Sequence, residues 1–262
     1  GVTHLELISS YPGGTNSIDA AGCEHLTAAL SNPNCRLTHL ELAGNCIGAA
    51  GCEHLKAALS NPNCRLTHLN LGCNQIGGAG CEHLKAALLS NPNCGLTHLN
   101  LHDNWIGEAG CEHLKAALSS PNCRLTHLHL GDNSIGAANR IYLQHIQCKG
   151  CEHLKTALSN PNCRLTHLHL GGNFIGAADC KHLKTALSNP NCRLTNLDLA
   201  SNRIGDAGCE HLKAALSNPN CRLTNLDLGY NRIGDAGCEH LKANCRRAEQ
   251  PELPPHQPRP GL

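Results

Sequence analysis

The leucine of LTHLNL at Leu66 has counterparts at Leu37, Leu96, Leu125, Leu165, Leu194 and Leu223, spaced 29, 30, 29, 40, 29 and 29 residues apart. Val2 opens an earlier copy, so the 262 residues contain about eight units of one pattern. A unit of this size cannot bury an apolar face by itself, and stacking on its neighbours is the only way to build a core. Two insertions account for the long spacings: one around residues 10–15, and NRIYLQHIQCK at 139–149. The extra residue in the 30-residue unit is one of the pair Leu88 and Leu89.

Each unit changes period half-way. In LTHLNLGCNQIG, Leu69 and Leu71 alternate as in a short strand, and Asn74 and Ile76 then turn the chain. In GCEHLKAAL, Cys52, Leu55 and Leu59 fall on one helical face. Ser-Asn-Pro-Asn ends the helix, because proline lacks an amide hydrogen and biases its predecessor away from helical angles. One strand and one helix per unit predict an α/β solenoid of right-handed βα turns. Its parallel sheet lines the concave side and its helices the convex side, since helices are wider than strands. The repeats span 1–243, and the Pro-rich segment 244–262 has the composition of a disordered tail. Neither end carries a polar capping repeat, which leaves room for a capping domain or chain. The start at Gly1 and the lack of any Met are what a fragment of a longer chain would show.

The pattern LxxLxLxxNxIGxxGCxxLxxAL resembles the ribonuclease-inhibitor-like class of leucine-rich repeats. That class is found in ribonuclease inhibitor, NACHT-type innate immune receptors and the GTPase-activating protein of Ran. The NPNC-R-L junction is most similar to the first two. The resemblance implies a horseshoe fold and, for function, protein binding, since one fold hosts many activities.

Cysteine and histidine recur in five complete copies and three partial ones in a spacing that invites a zinc reading, as in Cys52, His54, Cys64 and His68. Helical and strand geometry excludes it: Cys52 faces the core, while His54 and His68 point outward from opposite sides of the solenoid. Fifteen of the nineteen cysteines occupy two columns, after the pre-helix Gly and before the strand. These read as packing columns, with a redox switch between neighbouring Cys64-type residues as the alternative. With an odd cysteine count and no glycosylation sequon, the setting expected is reducing and cytoplasmic.

Function is expected where copies differ while the frame stays fixed. Between the last two strand leucines stand Glu6, Glu41, Asn70, Asn100, His129, His169, Asp198 and Asp227. Just after the Asn stand Trp105, Phe174, Arg203 and Arg232, with His102 and Tyr230 close by. Aromatic and Arg side chains dominate interface energies, so the expected partner-binding face comprises Glu41, Asn70, His102, Trp105, His129, Phe174, His169, Asp198, Arg203, Asp227, Tyr230 and Arg232. Two adjacent LTHLHL strands juxtapose His127, His129, His167 and His169, a weak metal candidate and a surface expected to charge below about pH 6.5.

No nucleophile-elbow, Walker or zinc-protease motif is present, and neither an enzyme nor a cofactor is expected. A net charge of +1 and the absence of basic–aromatic interleaving argue against nucleic acid, and no apolar run is long enough for a membrane span. The leading expectation is a protein-binding horseshoe. A small-GTPase regulator and the sensor arm of a NACHT-type receptor are the alternatives that the resemblance implies.

Overall fold

The computed structural model describes residues 1–9, 17–92, 94–136 and 149–245. The insertion at 10–15, that at 139–149 apart from Lys149, and the tail beyond Cys245 lie outside the described residues. Strands and helices alternate: β1 (His4–Glu6), α1 (Ala20–Leu30), β2 (His39–Glu41), α2 (Gly48–Ser60), β3 (His68–Asn70), α3 (Gly77–Ser90), β4 (His98–Asn100) and α4 (Gly107–Leu118). The second half continues with β5 (His127–His129), α5 (Gly150–Leu158), β6 (His167–His169), α6 (Ala177–Leu187), β7 (Asn196–Asp198), α7 (Gly205–Leu216), β8 (Asn225–Asp227) and α8 (Asp235–Cys245). All eight strands form one parallel sheet in sequence order, and each helix packs on the next. The register never slips, so His68 pairs with His98, Leu69 with Leu99 and Asn70 with Asn100.

One core runs the length of the stack. In the third unit Leu66, Leu69, Leu71 and Ile76 from the strand half meet Cys81, Leu84, Ala87 and Leu88 from the helix half, all essentially buried. Each leucine removed from water contributes about 1.5–3 kcal/mol. The extra residue of that unit lengthens α3 to 14 residues and leaves Leu89 outside, 37 % exposed, beside buried Leu88. The helix cysteines interlock with the next unit. A Cβ on Gly110 would come 3.2 Å from the Cys81 sulfur and clash with Ile106, which is why this position lacks a side chain.

The turn after each strand is held by its asparagine. Asn74 is fully buried, and its Nδ2 donates to Leu42 O at 2.9 Å, Gly72 O at 3.0 Å and Leu71 O at 3.1 Å. Its Oδ1 accepts the Ile47 amide of the preceding unit at 3.3 Å. Asn45, Asn104, Asn133, Asn173, Asn202 and Asn231 are likewise buried and serve their own turns, so a continuous amide ladder joins unit to unit. Buried backbone groups need such partners. The chain enters α2, α3, α4 and α7 through a left-handed glycine, as at Gly77 with φ 61°, where the amide donates to Asn104 O.

Candidate functional site

With Leu69 buried behind the sheet, its neighbours His68 and Asn70 project from the opposite face, and the same holds along β2 to β7. The first outward column is histidine on six strands. The rings of His39, His68, His98, His127 and His167 stack face to face with centroids 3.9–4.0 Å apart, and His4 joins at 4.9 Å. Backbones in a sheet are about 4.8 Å apart, and pure translation would keep the rings at that spacing. Their approach requires successive strands to rotate toward them, so the histidines line the concave side.

A threonine ladder orients these rings. Thr38 O accepts the amides of Thr67 at 2.9 Å and His68 at 3.0 Å. The Thr67 hydroxyl also donates to that oxygen at 3.1 Å, and its own oxygen lies 2.8 Å from His68 Nδ1, from which it can accept when that nitrogen carries a proton. The same contact is made at His39, His98, His127 and His167.

The second outward column carries the variable residues. Asn70 Nδ2 donates to Glu41 Oε2 at 2.6 Å, and His169 Nδ1 lies 3.4 Å from Asp198 Oδ2. His102, just beyond β4, is 3.5 Å from Asp132 and meets His129 edge-on, while His129 stacks on His169 at 4.9 Å. His129 Nδ1 is buried without a hydrogen-bond partner. Concave grooves follow among the described residues: one of about 660 Å³ is lined by His169, Asp198 and Asp227, one of about 270 Å³ by Glu41, Asn70, His98 and His129, and a further one of about 270 Å³ by His102, His129 and Asp198.

The remaining predicted residues lie on the turns where the chain leaves the strands, so they form a rim and not the strand face. Trp105 (67 % exposed) and Tyr230 (89 % exposed) hold left-handed backbones at φ 58° and 56°. Phe174 and Arg232 share that conformation, and the Arg203 guanidinium sits 4.7 Å above the Phe174 ring. None of these grooves is lined by Trp105, Phe174, Arg203, Tyr230 or Arg232.

Two expectations need correction. His127, His129, His167 and His169 do come together, but as parallel stacks whose nitrogens lie side by side and do not converge on a point. Among the described residues no group of three or more His, Cys, Asp or Glu could hold a metal ion. Nor does the face charge uniformly below pH 6.5. Burial, with help from neighbouring imidazoles, holds His98 and His129 down at about 4 and lowers His68 and His127.

The register-perfect strands, the helix row and the buried asparagine ladder are the build of one repeat family. A model described as Leucine Rich repeat matches residues 34–56, 63–85, 93–115, 122–138, 191–213 and 220–242, half of the sequence. The chain belongs to the leucine-rich repeat family. Comparison with curated proteins finds no match. Among solved structures, the leucine-rich repeat-containing protein LegL7 from Legionella pneumophila is 17 % identical, with a TM-score of 0.47, covering 88 % of this chain and 78 % of that one. An internalin, inlF, from Listeria monocytogenes is 18 % identical with a TM-score of 0.24, covering 93 % and 84 %. As a leucine-rich repeat protein the chain is a protein-interaction module, and among its described residues no helix is long and apolar enough to cross a membrane.

The sequence reading singled out four of the histidines and missed that His4, His39, His68 and His98 extend one column into a continuous stack. The signal was there in the Thr-His pair of six units, read as repetition and not as a hydroxyl–imidazole contact.

Proposed function

We propose that this leucine-rich repeat chain holds a partner protein across its concave strands, with the rim aromatics as a second contact. One observation carries the reading: the buried leucines repeat without change, while the outward residues on the same strands run Glu41, Asn70, Asn100, His129, His169, Asp198 and Asp227. A scaffold alone does not require that variation, and solenoids use this side for binding. His102 would join the concave contact, and Trp105, Phe174, Arg203, Tyr230 and Arg232 would flank the partner from the rim, where aromatic and Arg groups act as anchors. The reading assigns no catalytic residue.

We also infer the ribonuclease-inhibitor-like class, supported by the NPNC junction and by a helix of 9–14 residues in each unit. A reducing, cytoplasmic setting is supported by an odd cysteine count of nineteen, fifteen of which the sequence places in two packing columns.

The test is differential capture from cell extract. A variant carrying Asn70→Ala, His129→Ala, His169→Ala and Asp227→Ala should lose by about tenfold or more a partner that wild type retains. A convex variant, Glu82→Ala with Glu112→Ala, should retain it. Loss from the convex variant alone would move the site off the concave face.

A further inference from the structure

The stacked histidines are at contact. Carbon atoms of unbonded groups are most stable about 3.5–4.0 Å apart, and the rings from His39 to His167 are already separated by 3.9–4.0 Å. Further curving of the sheet would drive one ring into the next, so the column limits how far the horseshoe closes. Only neutral imidazoles tolerate such spacing without mutual repulsion.

We propose that the column His39, His68, His98, His127 and His167 sets the curvature of the solenoid and opens it in acid. Neutral rings let the inner edge of the sheet close to contact, and charged rings push it apart. The threonine hydroxyl donates to the carbonyl of the preceding threonine, as Thr67 does to Thr38 O at 3.1 Å, so its oxygen can accept from Nδ1–H of a charged ring and the stack can charge without breaking the threonine ladder.

The groups facing the column decide where charge is tolerated. Glu41 on β2 favours charge on His68, and Glu6 lies 3.5 Å from His4 at the N-terminal end. Around His98 and His127 the acting neighbours are imidazoles: His39, His68 and His167 in the column, and His169 beside it. Of the nearby carboxylates, Asp198 is engaged with His169 and Asp132 with His102. Among the described residues no carboxylate raises His98 or His127 in the middle of the stack. Burial and these neighbours hold His98 down at about 4, which keeps the middle neutral at pH 7 and places opening in the range approaching pH 4. The device ends at β7, where Asn196 and Asn225 replace the ring. The inference concerns shape and does not depend on the identity of any partner.

Small-angle X-ray scattering of the full chain between about pH 7.5 and pH 3.5, with circular dichroism alongside, tests it. Wild type should expand by a few per cent in radius of gyration while helix content is unchanged. The variant His68→Asn, His98→Asn, His127→Asn adopts the residue that the chain itself uses at 196 and 225, and should show at most a small part of that expansion. If the triple variant does not fold, His98→Asn alone should reduce the expansion, while Glu41→Gln should leave it in place. Equal expansion of wild type and the histidine variants would overturn the proposal, as would a wild-type radius that stays constant until helix content is lost.

Discussion

The backbone amide of Asn104 donates to the side-chain oxygen of Asn133 at 2.9 Å, and the same oxygen accepts the Ile106 amide at 3.2 Å. Asn133 Nδ2 donates to Leu101 O at 2.8 Å and Gly131 O at 2.9 Å, so a single side chain serves two backbone donors and two acceptors in a fully buried position. Asn133→Ala should therefore cost about 3 kcal/mol or more in chemical denaturation. Asn133→Asp keeps the acceptor but loses the donor and buries a charge, so at pH 7 it should cost no less. An effect below about 0.5 kcal/mol for both would mean that the ladder is dispensable.

The buried helix cysteines should be chemically silent. Burial pushes the thiol of Cys81 up to about 12 and that of Cys23 to about 11, with Cys52 raised further, and thiolates are the reactive form. In native protein at pH 7.5, a thiol reagent should label exposed Cys238 quickly and leave Cys52 and Cys81 unlabelled until denaturant is added. Rapid native labelling of Cys81, read by mass spectrometry, would contradict the packing role. The raised thiols of Cys64, Cys94, Cys123, Cys163 and Cys192 likewise weigh against the redox alternative.

Much of the fold was legible because it rests on local periods. Leu69 and Leu71 alternate, Cys52, Leu55 and Leu59 keep helical spacing, and the strand, the helix and the buried faces all followed. Which of Leu88 and Leu89 was the extra residue depended on rotation along α3, which spacing alone leaves open. The site was less legible. Asn70 and Trp105 both belong to columns that vary from unit to unit, yet one is on a strand and the other on a turn, and the difference lies in where the three-residue strand stops. The close approach of His98 to His127 comes from curvature summed over the whole stack, a quantity that no single unit encodes.

Stability should fall as acid is added across the range below neutrality. His68, His98, His127 and His129 have folded values below the usual imidazole value of about 6.5, so between that value and about 4 the unfolded chain binds more protons. Their contribution is complete above pH 6.5 and is lost as the pH drops toward 4. Denaturation midpoints measured at pH 7.5, 6, 5 and 4.5 should decrease in that order, less so for His98→Asn. A midpoint that rises on acidification would reverse the sign and refute the account of these groups.

Trp105 offers a way to separate binding from folding. Its left-handed backbone, φ 58°, is one that glycine adopts freely, and 67 % of its surface is exposed. Trp105→Gly should leave the denaturation midpoint unchanged or raised while weakening partner binding by about 1 kcal/mol or more. Phe174→Ala should weaken binding similarly and also release Arg203 from its ring. A Trp105→Gly variant with full affinity would remove the rim from the site.

The histidines themselves report on the central claim, because they occupy both faces. His98, His127, His129 and His169 line the concave side, whereas His54, His113 and His153 sit on the helices, the last two within 3.3–3.4 Å of Lys85 and Lys115. The most direct measurement is the set of imidazole Cε1–H NMR signals, assigned by single substitutions, as a captured partner is titrated in. The account predicts that the concave signals shift or broaden while the helix signals stay in place. Movement confined to His54, His113 and His153 would contradict it.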